Sequence, residues 1–486
     1  MTIVKNYIYN TFYQILILII PLITMPYLTR IFTPSDLGIT SYTFSIVNYF
    51  MIFGTLGMGL YGNREIAYIR DNKKNLSETF WALLLIQLIG SFVSLILYYL
   101  FIIFCVTENK IIYLVQGLNI ISFMFDISWL FMGLEDLKKI SVRNSIVKLI
   151  GMISLFALVK SSKDLVLYIS LTVGINILGV IIIWINVPQE IKKIEINMEI
   201  IKNNLKQLVF LFLPQIFIQV YALLDRILIG VFSTIEQVAF YDYSQKIIRI
   251  VLALITSLGI VLMSRISNMI GNGRKEHVKF VIEKEFEIVS YIAMPISIGL
   301  MAVSNNLISW ILGSKYLEIS KLTSVSAVII IAVSLANIIG VQYLIGTKQE
   351  NKYTFSIIVS AATNFTMNMV LLRKFGSYGA ATSIVATEFI GVIIQMILVR
   401  KQLPIKKMLK KISKYLICSV IMAIIIIPIG IFLNNNMLAS IIQISIGIIF
   451  YITIMFITKD EIQIEIINIC KTRNIISKLS NIKQNN

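Results

Sequence analysis

Charge is scarce in this 486-residue chain, where Asp, Glu, Lys and Arg together make up 14%, against about a quarter in an ordinary soluble domain. Since 57% of the residues are hydrophobic, a water-soluble fold would have to hide far more apolar surface than its core could take. Cysteine is nearly absent: Cys105, Cys418 and Cys470 stand at no metal or redox spacing, and their odd number gives no disulfide framework. The one histidine, His277, sits in a polar loop and reads as a solvated side chain rather than a pH switch. There is no Walker loop, which excludes ATP as the direct energy source. No loop on the outer face is long enough for a glycosyl-transfer site or pairs carboxylates for one, so no enzymatic constellation is present.

What the chain does have is long apolar runs. A spanning helix needs about 20 mostly apolar residues. Fourteen runs qualify, at 7–30, 37–62, 79–106, 111–133, 144–159, 165–187, 207–231, 237–264, 285–310, 322–346, 353–372, 377–399, 415–433 and 437–458. The first has no small-residue cleavage site after it and reads as a membrane helix rather than a removed signal. The runs are continuous and do not alternate, which excludes a membrane barrel and predicts an all-α integral membrane fold.

The basic residues are unevenly placed. An even number of spans puts both termini on one side, and the loops of that side carry 31 of the 43 Lys and Arg, against 8 opposite. Short basic loops stay in the cytoplasm, so both termini are expected there. The net charge of +18 is mostly this bias, with some attraction to anionic headgroups, and gives no support to nucleic-acid binding. Four cations remain inside spans: Lys148, Arg226, Lys246 and Arg249. Each costs about 2.5–3.5 kcal/mol at mid-bilayer on insertion scales, so such groups face water or a partner. Asp126, Asp225, Asp242 and Glu388 are the acids in the same position, with Glu285 and Glu287 set aside at the cytoplasmic entrance of span 9.

The order of the spans suggests two halves. Residues 1–187 form an N-terminal lobe, 188–206 a cytoplasmic linker, 207–399 a C-terminal lobe, 400–458 two further spans with a basic entry, and 459–486 a cytoplasmic tail. TRIFTPSDLGITSYTFSIVNYF (29–50) echoes GVFSTIEQVAFYDYSQKIIRIV (230–251) at a constant offset of 201. Transporters are often built from such repeats, with the site at their interface. Pro21, Pro26, Pro214, Pro295 and Pro428 interrupt spans and permit bends.

Lys246 and Arg249 share one face of span 8. They read either as a cationic wall for an anion such as a diphosphate or as partners of Asp242 and Glu388. Arg30 closes span 1 at the outer face and Arg64 closes span 2 at the inner face. With Lys148 and Arg226 they complete the candidate anion set, although each of the first two alone is equally an interface anchor. Asp225 could coordinate a monovalent cation with Asn364, Asn368 and Thr382, whose oxygens suit a hard ion. Its alternative is a plain pair with Arg226.

Several stretches resemble the polysaccharide-type flippases of the MOP superfamily, the Wzx-like oligosaccharide exporters. They are PLITMPYLTRIFTPSDLGI (21–39), DISWLFMGLEDLKKISVRNSIVKLI (126–150), LPQIFIQVYALLDRILIG (213–230) and GVQYLIGTKQENKYTFSIIVSAATNFTMNMVLL (340–372), followed by GSYGAATSIVATE (376–388). The resemblance implies a V-shaped monomer of fourteen helices: two pseudo-symmetric six-helix lobes and two C-terminal helices. It implies an undecaprenyl-diphosphate-linked oligosaccharide as substrate, moved across a bacterial plasma membrane by alternating access. Cavity arginines would hold the diphosphate, and the last two spans would form a groove for the lipid tail. Glycan polymerase or ligase machinery would be the partner, and a sodium or proton gradient the drive. A sodium site among spans 7, 11 and 12 would fall on Asp225, Asn364 and Asn368, with Asn368 standing where some relatives carry a second acid. The rivals are a multidrug exporter of the same superfamily, which would take organic cations, and a membrane glycan polymerase or assembly scaffold.

Overall fold

A computed structural model of the chain describes residues 2–192, 198–256, 275–433 and 436–465, with 266, 269, 467 and 468. Among the described residues the secondary structure is helical, with no strand. The helices are α1 (Thr2–Ile31), α2 (Pro34–Thr55), α3 (Met58–Ile69), α4 (Lys73–Cys105), α5 (Lys110–Met124), α6 (Ser128–Gly133), α7 (Leu137–Leu158), α8 (Leu165–Ile185), α9 (Met198–Phe232) and α10 (Ile235–Thr256). There follow α11 (Lys275–Leu312), α12 (Leu317–Ala327), α13 (Ile329–Ala336), a π-helix (Asn337–Ile345), α14 (Glu350–Phe375), α15 (Ser377–Val399), α16 (Ile405–Phe432) and α17 (Met437–Ile457). Eleven helices among the described residues are long and apolar enough to cross a membrane, or twelve if the bent pair Ser314–Ala327 and Ile329–Ile345 is one span. Apolarity alone therefore does not reach the expected fourteen. The other two expected spans correspond to α9 and α10, and α10 carries Asp242, Lys246 and Arg249.

Local chemistry sets where the helices start and stop. Thr33 and Asp36 form a reciprocal capping box at the start of α2, with Pro34 in its first turn. Asn72 accepts from the backbone N–H groups of Lys74 and Asn75 to start α4. Besides 322–346, which bends by 40° at Val328, two expected spans are interrupted. The run 37–62 breaks at Leu56 and Gly57, both in the left-handed region at φ 50° and 74°. The run 111–133 breaks between Met124 and Ser128, where Asp126 accepts from the Ser128 backbone N–H at 2.9 Å. Asp126 thus caps a short helix rather than standing within one. Residues 198–206, expected in the linker, are the first turns of α9.

The chain divides into two compact units. The first comprises residues 1–242 and 368–380. Here α2 packs on α4, α5 and α9, and α7 packs on α1 and α8. Part of its core is aromatic, built from Tyr61, Phe80, Trp129 and Phe131 together with Ile66 and Leu83. The second comprises 243–367 and 381–486, where α11 packs on α12, α13, α16 and α17. Large apolar side chains such as Phe104, Ile185, Ile424 and Phe432 are exposed, as on a surface solvated by lipid tails.

Candidate functional site

The polar site of the first unit begins with two glycines. A Cβ on Gly38 of α2 would stand 1.9 Å from the Ile235 carbonyl oxygen, and one on Gly230 of α9 would stand 2.3 Å from the Tyr42 ring. Only glycine permits these approaches, which bring the start of α10 and the end of α9 onto α2. The contact places Ser41 beside Asp242, whose Oδ2 accepts from the Ser41 hydroxyl at 2.9 Å. These are the residues that the 201-residue offset aligns. Equivalent residues touch each other where they lie on a two-fold axis, so this contact supports a true repeat.

Asp242 Oδ1 accepts from Arg226 Nε at 2.6 Å, with the two side chains 8% and 7% exposed. Next to it, Asp225 is 2% exposed. Its Oδ1 accepts from the Asn368 amide at 2.6 Å and its Oδ2 from the Tyr241 hydroxyl. Adjacent residues on a helix point about 100° apart, so the acid and the base of α9 bond to different groups. Asn368 sits on α14 and Tyr241 on α10, and Asp225 ties three helices together. Asn364, one turn before Asn368 on α14, is fully buried, whereas Thr382 on α15 is exposed. At the start of α15, Ser377 donates its backbone N–H to Gln237 of α10 at 2.7 Å.

The other sequence-predicted cations are not buried in this way. Arg30 ends α1 and is exposed. Arg64 on α3 is exposed, with its guanidinium 5.4 Å over the Tyr61 ring and 3.5 Å from Gln207 Oε1. Lys148 on α7 is exposed. On α10, Lys246 is half-buried with its ammonium 4.6 Å over the Tyr243 ring, and Arg249 is exposed. Glu388 is half-buried on α15.

Two features escape the sequence reading. Arg143, counted there as a loop residue, lies in α7 with its side chain one-tenth exposed. It donates to the Ser128 hydroxyl at 3.0 Å and the Gly179 carbonyl at 3.2 Å, and stands 3.9 Å from Asp126. The acids set aside on α11 are also buried, Glu285 at 4% and Glu287 at 5% exposure. Glu287 accepts from Lys411 of α16 at 2.8 Å, and Lys414 reaches Asp460 at 2.6 Å. A concavity of about 630 Å³ in the first unit is lined by Phe125, Ile177, Ile181 and Trp184 among others, and carries no charged side chain.

Comparison with known proteins gives a consistent result. Residues 3–270 match the polysaccharide biosynthesis protein family. A protein of Escherichia coli named as an O-antigen transporter is 23% identical over 402 residues, covering 82% of this chain and 96% of its own. A protein of Haloferax volcanii named as a low-salt glycan biosynthesis flippase is 22% identical over 230 residues, 47% of this chain and 48% of its own. Among solved structures, the lipid II flippase MurJ in an inward closed conformation superposes with a TM-score of 0.76 at 16% identity, over 94% of this chain and 100% of that one. An inward-facing multidrug resistance MATE family transporter of the MOP superfamily gives 0.59 at 11% identity, over 81% and 99%. The multi-pass helical fold agrees with that of the flippase and transporter structures, and the family match is direct: this chain belongs to the polysaccharide biosynthesis protein family.

Proposed function

We propose that the protein flips a lipid-linked oligosaccharide from the inner to the outer leaflet of a bacterial plasma membrane by alternating access. The lipid is undecaprenyl diphosphate, and the glycan is a capsule, teichoic acid or O-antigen-type repeat. Both termini face the cytoplasm, and a sodium or proton gradient drives the cycle through Asp225, Asn364, Asn368 and Thr382. Arg30, Arg64, Lys148, Lys246 and Arg249 contact the diphosphate or guide it.

One observation carries this reading. Asp242, Lys246 and Arg249 lie on one face of α10, but Asp242 is bonded to Arg226 and buried, while the cations beyond it emerge toward the surface. Cations partway along a membrane helix are drawn to water or to an anion. A diphosphate supplies the anion, and arginine suits it by its planar fork. An organic cation, the substrate class of a multidrug exporter, would be repelled from the same face.

The test uses a deletion strain. Loss of the protein should leave the lipid-linked oligosaccharide on the cytoplasmic leaflet, and wild type should restore its export. Lys246→Ala and Arg249→Ala should insert normally and fail to restore it. Normal export by both variants would remove the cationic face from the mechanism.

A further inference from the structure

Glu285 lies on α11 between two neutralised neighbours. Lys284 reaches Glu465 at 2.7 Å, and Glu287 accepts from Lys411 at 2.8 Å. Glu285 has no such partner. It is 4% exposed, and neither carboxylate oxygen has a hydrogen bond of ordinary geometry, although the Gln342 side chain stands near it. Among the described residues, no basic side chain lies within ion-pair distance of it.

The carboxylate borders a cavity of about 10 Å³ shared with Thr256, Ser334, Asn337 and Gln342, room for one water or one small ion. The Ser334 hydroxyl and the Gln342 side-chain oxygen are also buried without partners. Gln342 gives its amide nitrogen to Asn337 Oδ1 at 3.3 Å, which leaves its oxygen for the cavity. Four such orphan polar atoms stand around this one space. Gln342 and Asn337 belong to the π-helix, a form that recurs at functional sites. Its Gly340 is packed so closely that a Cβ would stand 2.8 Å from the Tyr353 ring. The wide turn is therefore held in place against the helix behind it.

A buried carboxylate facing an amide oxygen is compensated by a positive charge or a proton between them, since buried charge is costly otherwise. We propose that Glu285, Gln342 and Ser334 form a binding site for one small monovalent cation, sodium or a proton, in the second unit. Hard oxygen donors suit sodium. A proton would sit on Glu285 and be shared with the Gln342 oxygen. No other residue lining the cavity titrates, and Lys284 and Glu287 are already ion-paired. The site shares no residue with the candidate site at Asp225, and does not depend on what the protein transports.

The test is thermal unfolding of the purified full chain in detergent. Sodium is exchanged against potassium and choline at constant ionic strength and alkaline pH, and pH is then stepped in choline. If the ion is sodium, the midpoint rises with sodium in wild type and in Asp225→Asn, but not in Asp225→Asn/Glu285→Gln, where neither acid remains. If it is a proton, the midpoint rises as pH falls in wild type and Asp225→Asn, because binding favours the folded state, and adding Glu285→Gln to Asp225→Asn shrinks that rise. The infrared C=O band of a protonated carboxylic acid should then be lost in Glu285→Gln. Gln342→Leu keeps the carboxylate and removes one ligand oxygen, and should weaken whichever dependence is seen about tenfold. An Asp225→Asn/Glu285→Gln variant that follows sodium and pH as Asp225→Asn does, with Gln342→Leu following them as wild type does, would overturn the proposal.

Discussion

Removing Asp242 should destabilise the first unit more than almost any other single change. The Arg226–Asp242 contact is 2.6 Å long and its side chains are less than one-tenth exposed. Asp242→Ala leaves the Arg226 guanidinium buried without that partner, and Asp225 beside it is engaged by Tyr241 and Asn368. Breaking a buried pair from one side costs about 3–5 kcal/mol, whereas replacing both members with apolar residues of similar volume is often neutral or stabilising. Asp242→Ala and Arg226→Met should therefore each lower stability by about 3–5 kcal/mol, and the Arg226→Met/Asp242→Leu double variant should be more stable than either. The assay is unfolding of the detergent-solubilised protein, read by tryptophan fluorescence. Losses that simply add in the double variant would mean that the two charges do not act as a pair, and the account of this site would fail.

Gly38→Ala forces a Cβ to within 1.9 Å of the Ile235 carbonyl oxygen. It should cost at least the roughly 1–3 kcal/mol of an overpacked core, whereas Gly174→Ala, with open space around it, should leave the midpoint unchanged. Glu287→Gln removes the buried carboxylate that accepts from Lys411. It should lower the unfolding free energy by about 1–3 kcal/mol, while Glu461→Gln, 70% exposed on the same lysine, should fall within about 1 kcal/mol of wild type. Equal effects at the two acids would show that burial does not decide the strength of this contact.

The membrane architecture was legible because the bilayer leaves few choices: an apolar run of spanning length can satisfy its backbone there only as a helix. The 201-residue offset aligns Ser41 with Asp242, and the two touch, but nothing in the sequence marked that pair. The breaks were not legible. Leu56 at φ 50° adopts a conformation that no local rule assigns to leucine, and its side chain packs against the aromatic core that holds Trp129. Partner choice was also hidden. YALLDRILIG sets Asp225 beside Arg226, yet helical geometry turns the two in different directions, toward groups on α10 and α14. Glu285 was misjudged for another reason. Its helix was taken to begin near the membrane entrance, whereas it starts at Lys275, which puts Glu285 about three turns inside. Arg143 was lost the same way, since α7 begins at Leu137.

The two halves of the repeat do not share the polar site equally. Extending the same offset from the aligned segment places Thr24 and Met25 opposite Asp225 and Arg226, and Thr40 and Ser41 opposite Tyr241 and Asp242. Thr24 donates to its own helix at the Ile20 carbonyl, and Thr40 to its own at Asp36. Met25 is buried and apolar. Hydroxyls bonded back into their own helix need no partner from another, so the first copy holds its helices by packing. In the second copy the same positions became an ion pair and a three-helix carboxylate. Ser41 and Asp242 touch each other, and there the asymmetry matters. Two aspartates at 41 and 242 would repel, and two serines would leave Arg226 without its counter-charge. One of each satisfies both. A duplicated scaffold can thus carry a charged site in one half without a matching penalty in the other, provided the residues that touch diverge together.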